Sequence, residues 1–567
     1  MAPDGTKVIP SLASSETALF LCLICLLFPF RVLLKTPTWS DMLTLVLCEN
    51  GTCSRGLTTG HYLICQAHPH RSGSLWLWRW AALSNTLKES LFEKLRQLQC
   101  HFTWVPQKDN TDFRDLKLRL QDSINLGVKY QATSYNHLAF VNCQQGDYEE
   151  AIQNLKEAEK IWRENHKDEF ERSSIITYGN FAWVHYHMGQ LTEAQSYLDK
   201  LEMICKPLSD GPRYTAMIPQ VYGEKGWSLL TFGTSVYYEE AKKCFEKALQ
   251  DDSDNVEWTM GYATALLRLE VISGVPEDQE RSQPVKYLRR VLELDPDDTV
   301  AMVMLALKLQ EFKETEKANE LVENALRKTP DLPYVLRYAA KFYRIGGDVD
   351  RAIGLLQRAL EFTPCSSFLH HQIGICYRGK LFSLKKKTGS NYPDRSAFQQ
   401  KAELISKCKY HFEKAFDLKS SFTIAKLDFA GICLENGEAD RAEEIYKSLL
   451  SLEDVAPDHK QALALEVGLF ELYHKRSESN AIIYLLDGLK IHPGSKTWKF
   501  CDTNLRKILR TQIERNPRNS KAFGVLGLVH QLAGEKAEAI KCFERALEFD
   551  PDNEEYLTAL SELCLSM

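Results

Sequence analysis

A spacing of 34 residues recurs through most of this chain, and it limits the fold more than any other feature. It is clearest near the end. There Phe523, Leu526, Gly527, Gly534, Ala539, Phe543, Ala546 and Pro551 fall at positions 4, 7, 8, 15, 20, 24, 27 and 32 of one unit. Small residues at 8 and 20 let two antiparallel helices approach closely, and proline at 32 stops the second helix. Tyr135, Ala139, Gly146, Ala151, Leu155 and Ala158 repeat the frame, as do Tyr178, Phe181, Ala182, Gly189, Ala194 and Leu198. Leu336, Ala340, Tyr343, Gly347, Ala352, Leu356, Ala359 and Pro364 make a nearly complete copy. One helix pair cannot bury its own apolar face, so the copies must stack.

The frame is the tetratricopeptide-repeat pattern. Further traces are Ala241, Phe245 and Ala248, then Gly374 with Tyr377, then Ala430, Gly437, Ala442 and Tyr446. Weaker units lie at about 255–295, 300–330 and 462–490. The expected fold is all-α: a superhelix of helix-turn-helix repeats over 84–567, with first helices lining the concave face. A net charge of −6 supplies no global basic field, so any nucleic-acid site must be a local patch. From Cys100 onward the cysteines are scattered singly, which suits a cytosolic chain and offers no paired zinc or disulfide framework.

Residues 1–83 read as a separate, atypical extension. Ala18–Phe30 is an apolar run of thirteen, too short for a membrane span, which needs about 20. Asp4, Lys7 and Glu16 do not make the positive region that a secretory signal carries ahead of its apolar core. Cys22-Leu-Ile-Cys25 lies inside the run, and the Asn50-Gly-Thr52 sequon and the Trp76/Trp78/Trp80 cluster follow it without usable periodicity. A membrane role is not expected.

The chain carries no phosphate loop, HExxH, GxSxG or strand-linked GxGxxG. His101, His185 and His187 sit singly, so neither an enzyme nor a bound cofactor or metal is expected. What the concave face displays must then decide function. Tyr334, Arg337, Tyr338, Lys341 and Arg344, at offsets 0, 3, 4, 7 and 10, share one helical face, opposite Leu336, Ala339, Ala340 and Tyr343. The next repeat places His371 and Gln372 at the corresponding positions. A basic stripe interleaved with aromatics suits single-stranded nucleic acid. The same stripe is also what a solvated face shows when Arg and Lys stems cover apolar neighbours.

Glu257, Gly261, Thr264 and Arg268 form a second one-faced set, readable equally as a surface salt bridge. Lys385-Lys386-Lys387 falls in a long insertion, where lysine runs are commonly just solvated. A protein-binding scaffold is the rival from another class, gripping acidic peptides with a Lys/Asn/Arg clamp at positions 5 and 9. Arg337 and Lys341 could belong to one, but the adjacent repeats have Val303 with Leu307 and His371 with Ile375.

Several strings lie outside the generic repeat consensus: Cys100-His-Phe-Thr-Trp104, Tyr178-Gly-Asn-Phe-Ala-Trp183, Tyr186-His-Met-Gly189, Ala306-Leu-Lys-Leu-Gln310, Arg337-Tyr-Ala-Ala-Lys-Phe-Tyr343 and Leu369-His-His-Gln-Ile-Gly374. With them, the chain from about Leu87 to Met567 resembles the interferon-induced proteins with tetratricopeptide repeats. Its closing Leu557–Ser566 string is most like that of the family's fifth member. The resemblance implies a cytoplasmic antiviral effector that holds the 5′-triphosphate or cap of foreign single-stranded RNA in a basic central tunnel and restricts viral translation. It implies self-association or pairing with other family members, and no role with DNA. Carried over by motif, the RNA-binding residues are Tyr238, Arg268, Tyr334, Arg337, Tyr338, Lys341, Arg344, His371, Gln372 and Arg119. The chain departs from the family pattern at Thr231, where a triphosphate-binding lysine is usual, at Val300, where a tyrosine aligns, and at Ser123.

Overall fold

The structure is a computed structural model that describes residues 86–105, 112–127, 129–165, 169–208, 213–233, 237–273, 278–388, 395–453 and 455–565. The 1–83 extension, with its apolar run, sequon and tryptophan cluster, lies outside the described residues. Among the described residues there is no strand, and no helix is long and apolar enough to cross a membrane.

The all-α repeat expectation holds. Helices pack in consecutive pairs: Gln131–Gln145 with Tyr148–Asn165, Pro219–Phe232 with Tyr238–Asp251, Val256–Ser273 with Gln283–Leu294, and Thr299–Glu311 with Thr315–Lys328. Pro333–Gly346 then pairs with Val349–Phe362, Ser367–Thr388 with Arg395–Leu418, Thr423–Glu435 with Ala439–Leu450, and Ser520–Leu532 with Lys536–Phe549. The frame residues do the packing. Ala151, Ala241, Ala352, Ala442 and Ala539, all at position 20, are completely buried. Gly374 and Gly527, at position 8, receive the rings of Phe412 and Phe543, and a Cβ there would lie 2.5 and 2.9 Å from ring carbon. Position 15 ends the first helix in the left-handed region, with φ +94° at Gly347 and +77° at Gly534, which glycine adopts without strain.

Among the described residues two compact units are distinguished: those up to Leu98 with Phe181–Thr215, and those of Gln99–Asn180 with those from Ala216 onward. In the first, Phe181 stacks on Tyr197 with centroids 4.6 Å apart. The second holds all ten candidate RNA-binding residues. The insertion is not a loop at Lys385–Lys387, as the sequence reading had it. These lysines form the last turn of the Ser367–Thr388 helix, where cations complement the helix dipole, and Lys385 pairs with Glu435 at 2.6 Å.

Candidate nucleic-acid interface

The Pro333–Gly346 helix opens with proline in its first turn, where the missing N–H costs nothing. It buries Val335, Leu336, Ala339, Ala340, Phe342 and Tyr343. The stripe read from sequence lies on its other side, with Tyr334, Arg337, Tyr338 and Arg344 half-buried and Lys341 exposed. The Arg337 guanidinium carbon sits 4.1 Å from the Tyr334 ring centroid, 4.9 Å from that of Tyr338 and 5.3 Å from that of Phe368. This cation is thus set against three aromatic rings. Burial holds the Tyr334 phenol above its ordinary range, and the adjacent Tyr338 adds to the effect. Burial alone would lower the Arg337 pKa, but the two phenols outweigh it and fix the guanidinium in its charged form.

Arg268 joins this group from the Val256–Ser273 helix. Its guanidinium carbon lies 5.1 Å from the Tyr238 centroid, and its Nη1 donates to the Leu230 carbonyl at 2.5 Å. It is within electrostatic reach of the Tyr334 and Tyr338 hydroxyls. The rest of its one-faced set is structural. Gly261 packs on Phe245, Thr264 donates to the Met260 carbonyl at 2.8 Å, and Glu257 is half-buried rather than paired on the surface.

Pairing separates these cations from their neighbours. Among the described residues, no carboxylate lies within ion-pair distance of Arg268, Arg337, Lys341 or Arg344, whereas nearby Lys308, Arg351 and Arg358 pair with Glu270, Glu323 and Asp331. Half-buried guanidinium groups without a counter-charge are costly unless an anion completes them. The solvated-face reading accounts for exposed Lys341 but not for the half-buried arginines.

His371 is held more firmly than its sequence role suggests. It is 5% exposed, its Nε2 lies 2.7 Å from Asp428 Oδ2, and its ring packs 4.8 Å from that of Phe422. Asp428 also accepts from Arg378. His371 is therefore a fixed wall, while half-buried Gln372 beside it makes no side-chain hydrogen bond among the described residues.

Arg119 lies on the Phe113–Asn125 helix and pairs with Asp115 at 3.0 Å. Asp115, 9% exposed, also accepts from Ser367 at 3.1 Å and Lys419 at 2.9 Å, while Asp112 accepts from Ser421 at 2.9 Å. At the other end of this segment Lys129 pairs with Asp295 and, at 3.0 Å, with Asp298. The helix is thus tied near its start to distant repeats, Lys129 beyond its end makes a further tie, and Ser367 places the start next to Phe368.

Sequence reasoning missed Phe368, Asp115 and Lys419. Phe368 occupies the frame position of Tyr334, exactly one repeat of 34 residues later, so a signal for it was present. Nothing in the periodicity marks the pairing of Asp115 with Lys419.

The second unit also holds a buried polar cluster. Glu224 accepts from Thr133 at 2.6 Å, Asn180 bridges His101 and Asn136 at 3.0 and 3.1 Å, and the His101 and His137 rings meet edge-on at 4.8 Å. Burial pushes the Glu224 carboxyl up to about 7; burial and then Glu224 push Glu257 up to about 8. Burial drives His101 down to about 3.

Comparison with known proteins agrees with this picture. Tetratricopeptide-repeat family profiles match residues 130–202 and 520–553. The human antiviral innate immune response effector IFIT1 is 39% identical over 465 residues, covering 82% of this chain and 96% of the relative. The human interferon-induced protein with tetratricopeptide repeats 2 is 35% identical over 474 residues, covering 82% and 97%. Among solved structures, the human IFIT1 dimer with m7Gppp-AAAA superposes with a TM-score of 0.72 at 38% identity, covering 81% of this chain and 99% of that one. The same protein with PPP-AAAA gives 0.70 at 37%, covering 82% and 100%.

Proposed function

This chain belongs to the family of interferon-induced proteins with tetratricopeptide repeats, and on that premise we propose that it is an antiviral effector that binds the 5′ end of foreign single-stranded RNA, triphosphate or cap, and restricts viral translation. The observation that carries the reading is the group of uncompensated cations at Arg268, Arg337, Lys341 and Arg344, set among the rings of Tyr238, Tyr334 and Tyr338. Phosphates require such cations, and unpaired bases require such rings.

The protein acts by occupancy rather than catalysis, in the cytoplasm, without a cofactor. It self-associates or pairs with other family members, in keeping with the dimer formed by its human relative. A peptide-binding scaffold is disfavoured, because Val303 and Leu307, at the clamp positions of the preceding repeat, are buried and apolar.

Cell-free translation of a reporter RNA carrying a 5′-triphosphate tests the proposal. The protein is expected to inhibit it, and Arg337→Ala to relieve the inhibition. Undiminished translation of this RNA and of a capped counterpart at saturating protein would overturn the reading.

A further inference from the structure

The lysine run ends a helix that is too long for its repeat. Ser367–Thr388 has 22 residues and its partner Arg395–Leu418 has 24, against 14 and 14 in the pair before and 13 and 12 in the pair after. Leu381 stands one repeat of 34 residues after Gly347, which closes the preceding first helix. Leu381 and Leu404 are buried, but residues 382–387 and 395–403 include no buried one. The pair therefore projects past its neighbours by about 12 Å, at about 1.5 Å for each extra residue. This overhang is basic. Residues 382–404 carry Lys385, Lys386, Lys387, Arg395 and Lys401 against Asp394 and Glu403, five charges less two, a net +3 in a chain of net −6. Glu435 neutralises Lys385, and Glu403 is taken by Lys407 at 2.6 Å. Among the described residues no carboxylate lies within ion-pair distance of Lys386, Lys387, Arg395 or Lys401. Two rings stand among these cations, Phe382 at 50% and Phe398 at 67% exposure. A lysine run kept only for solvation needs no such rings beside it.

We propose that this overhang is a second RNA-contacting surface, which holds the strand downstream of the 5′ end bound near Arg337. The inference rests on the RNA-binding reading above and deepens it, because it names an RNA whose body is single-stranded as the ligand. Charge complementarity selects a polyanion: the four unpaired cations meet phosphates, and the two rings offer their faces to unpaired bases. An anionic membrane would call for a continuous apolar wedge, whereas Phe398 is flanked by Ser396, Gln399 and Gln400. The same helix links the two places. It starts beside Arg337, with Phe368 at 5.3 Å, and runs about 28 Å to Lys387. Stacked phosphates are spaced by about 3.4 Å, so a tetranucleotide spans about 14 Å and stops short of the overhang, while about nine nucleotides reach it.

The test uses the full-length protein and two 5′-triphosphate RNAs, a tetranucleotide and an unstructured single strand of about 25 nucleotides. Lys386→Gln, Lys387→Gln, Arg395→Gln and Lys401→Gln together are expected to weaken binding of the longer RNA about fivefold or more, and to leave the tetranucleotide within about twofold. Phe382→Ala with Phe398→Ala should also weaken the longer RNA about fivefold, the range for one lost base stack. Lys386→Arg, Lys387→Arg and Lys401→Arg together keep the charge and should bind both RNAs as the wild type does. Unchanged binding of the longer RNA by the Gln variant would overturn the inference and leave the Arg337 site standing. Equal weakening of both RNAs would overturn it too, because the substitutions would then act through that site. Failure of the wild type to bind either RNA would overturn the inference together with the RNA-binding reading it rests on. Capture of the wild type by phosphatidylserine vesicles, lost in the Gln variant while RNA binding is unchanged, would overturn it in favour of a membrane surface. Thermal melting of each variant establishes that it is folded.

Discussion

Asp115 and Lys419 stand 304 residues apart in the chain and form an ion pair 2.9 Å long. Asp115 is nearly buried and also receives Arg119 and Ser367, so one carboxylate joins three elements far apart in sequence. A repeat array is built almost wholly from contacts between neighbours. A tie across some 300 residues, beside the cationic site, is a feature added to that plan.

The tie should appear as energetic coupling. In a double-mutant cycle of Asp115→Asn and Lys419→Gln, we expect a coupling energy of about 0.5–3 kcal/mol from denaturant unfolding. Asp115→Asn should be the costlier single change, because it leaves both Lys419 and Arg119 without their carboxylate. Additive effects would mean that the pair is incidental.

Salt dependence measures the number of cations at work. For single strands, log K falls against log salt with a slope of about −0.7 per phosphate neutralised. Four available cations therefore predict a slope of about −3 for RNA binding. Arg337→Gln should reduce its magnitude by about 0.7, whereas Arg351→Gln, already paired with Glu323, should leave it unchanged. A slope near zero in the wild type would contradict a phosphate-binding role.

Two carboxyls held away from water, buried Glu224 and half-buried Glu257, make stability fall toward alkaline pH. Glu224 and Glu257 are raised to about 7 and 8 by burial, so between about 4.5 and 8 the folded chain holds protons that the unfolded chain releases. Stability is lost as pH rises through that window. His101, driven down to about 3 by burial, acts oppositely, but only below its unfolded value of about 6.5. Between pH 6.5 and 8 the carboxyls act unopposed. Urea unfolding should show a loss on the order of 1–3 kcal/mol over that interval. Glu224→Gln with Glu257→Gln should largely flatten it, and a wild-type stability that rises there would contradict the assignment.

Two helical glycines should respond in opposite ways to the same change. Gly527→Ala puts a Cβ 2.9 Å from the Phe543 ring and should cost about 1–3 kcal/mol through overpacking. Gly354 has no atom within 4 Å of its would-be Cβ, so Gly354→Ala should stabilise by about 0.5–1 kcal/mol through helix propensity. Thermal unfolding of the two variants checks both signs.

These contrasts mark what sequence could and could not reveal. The repeat frame was legible because close helix packing demands small residues at fixed spacing, and Gly527 against Phe543 meets that demand. The stripe from Tyr334 to Arg344 was legible because helical geometry alone aligns it. Counter-charges were not. Arg337 and Arg351 look alike as letters, yet one lies unpaired among rings and the other is neutralised by Glu323 from the preceding repeat. The second set, from Glu257 to Arg268, proved mostly packing, because a one-faced pattern does not say which neighbour covers that face. The ties of Asp115 and Lys129 join segments that no local periodicity relates.

The most direct test is equilibrium binding of the full-length protein, at physiological salt, to one single-stranded RNA bearing either a 5′-triphosphate or a 5′-hydroxyl. Recognition by the uncompensated cations predicts a preference of about tenfold or more for the triphosphate, some 1.4 kcal/mol, lost in Arg337→Ala and in Arg268→Ala. Equal binding of the two RNAs by the wild type would contradict it.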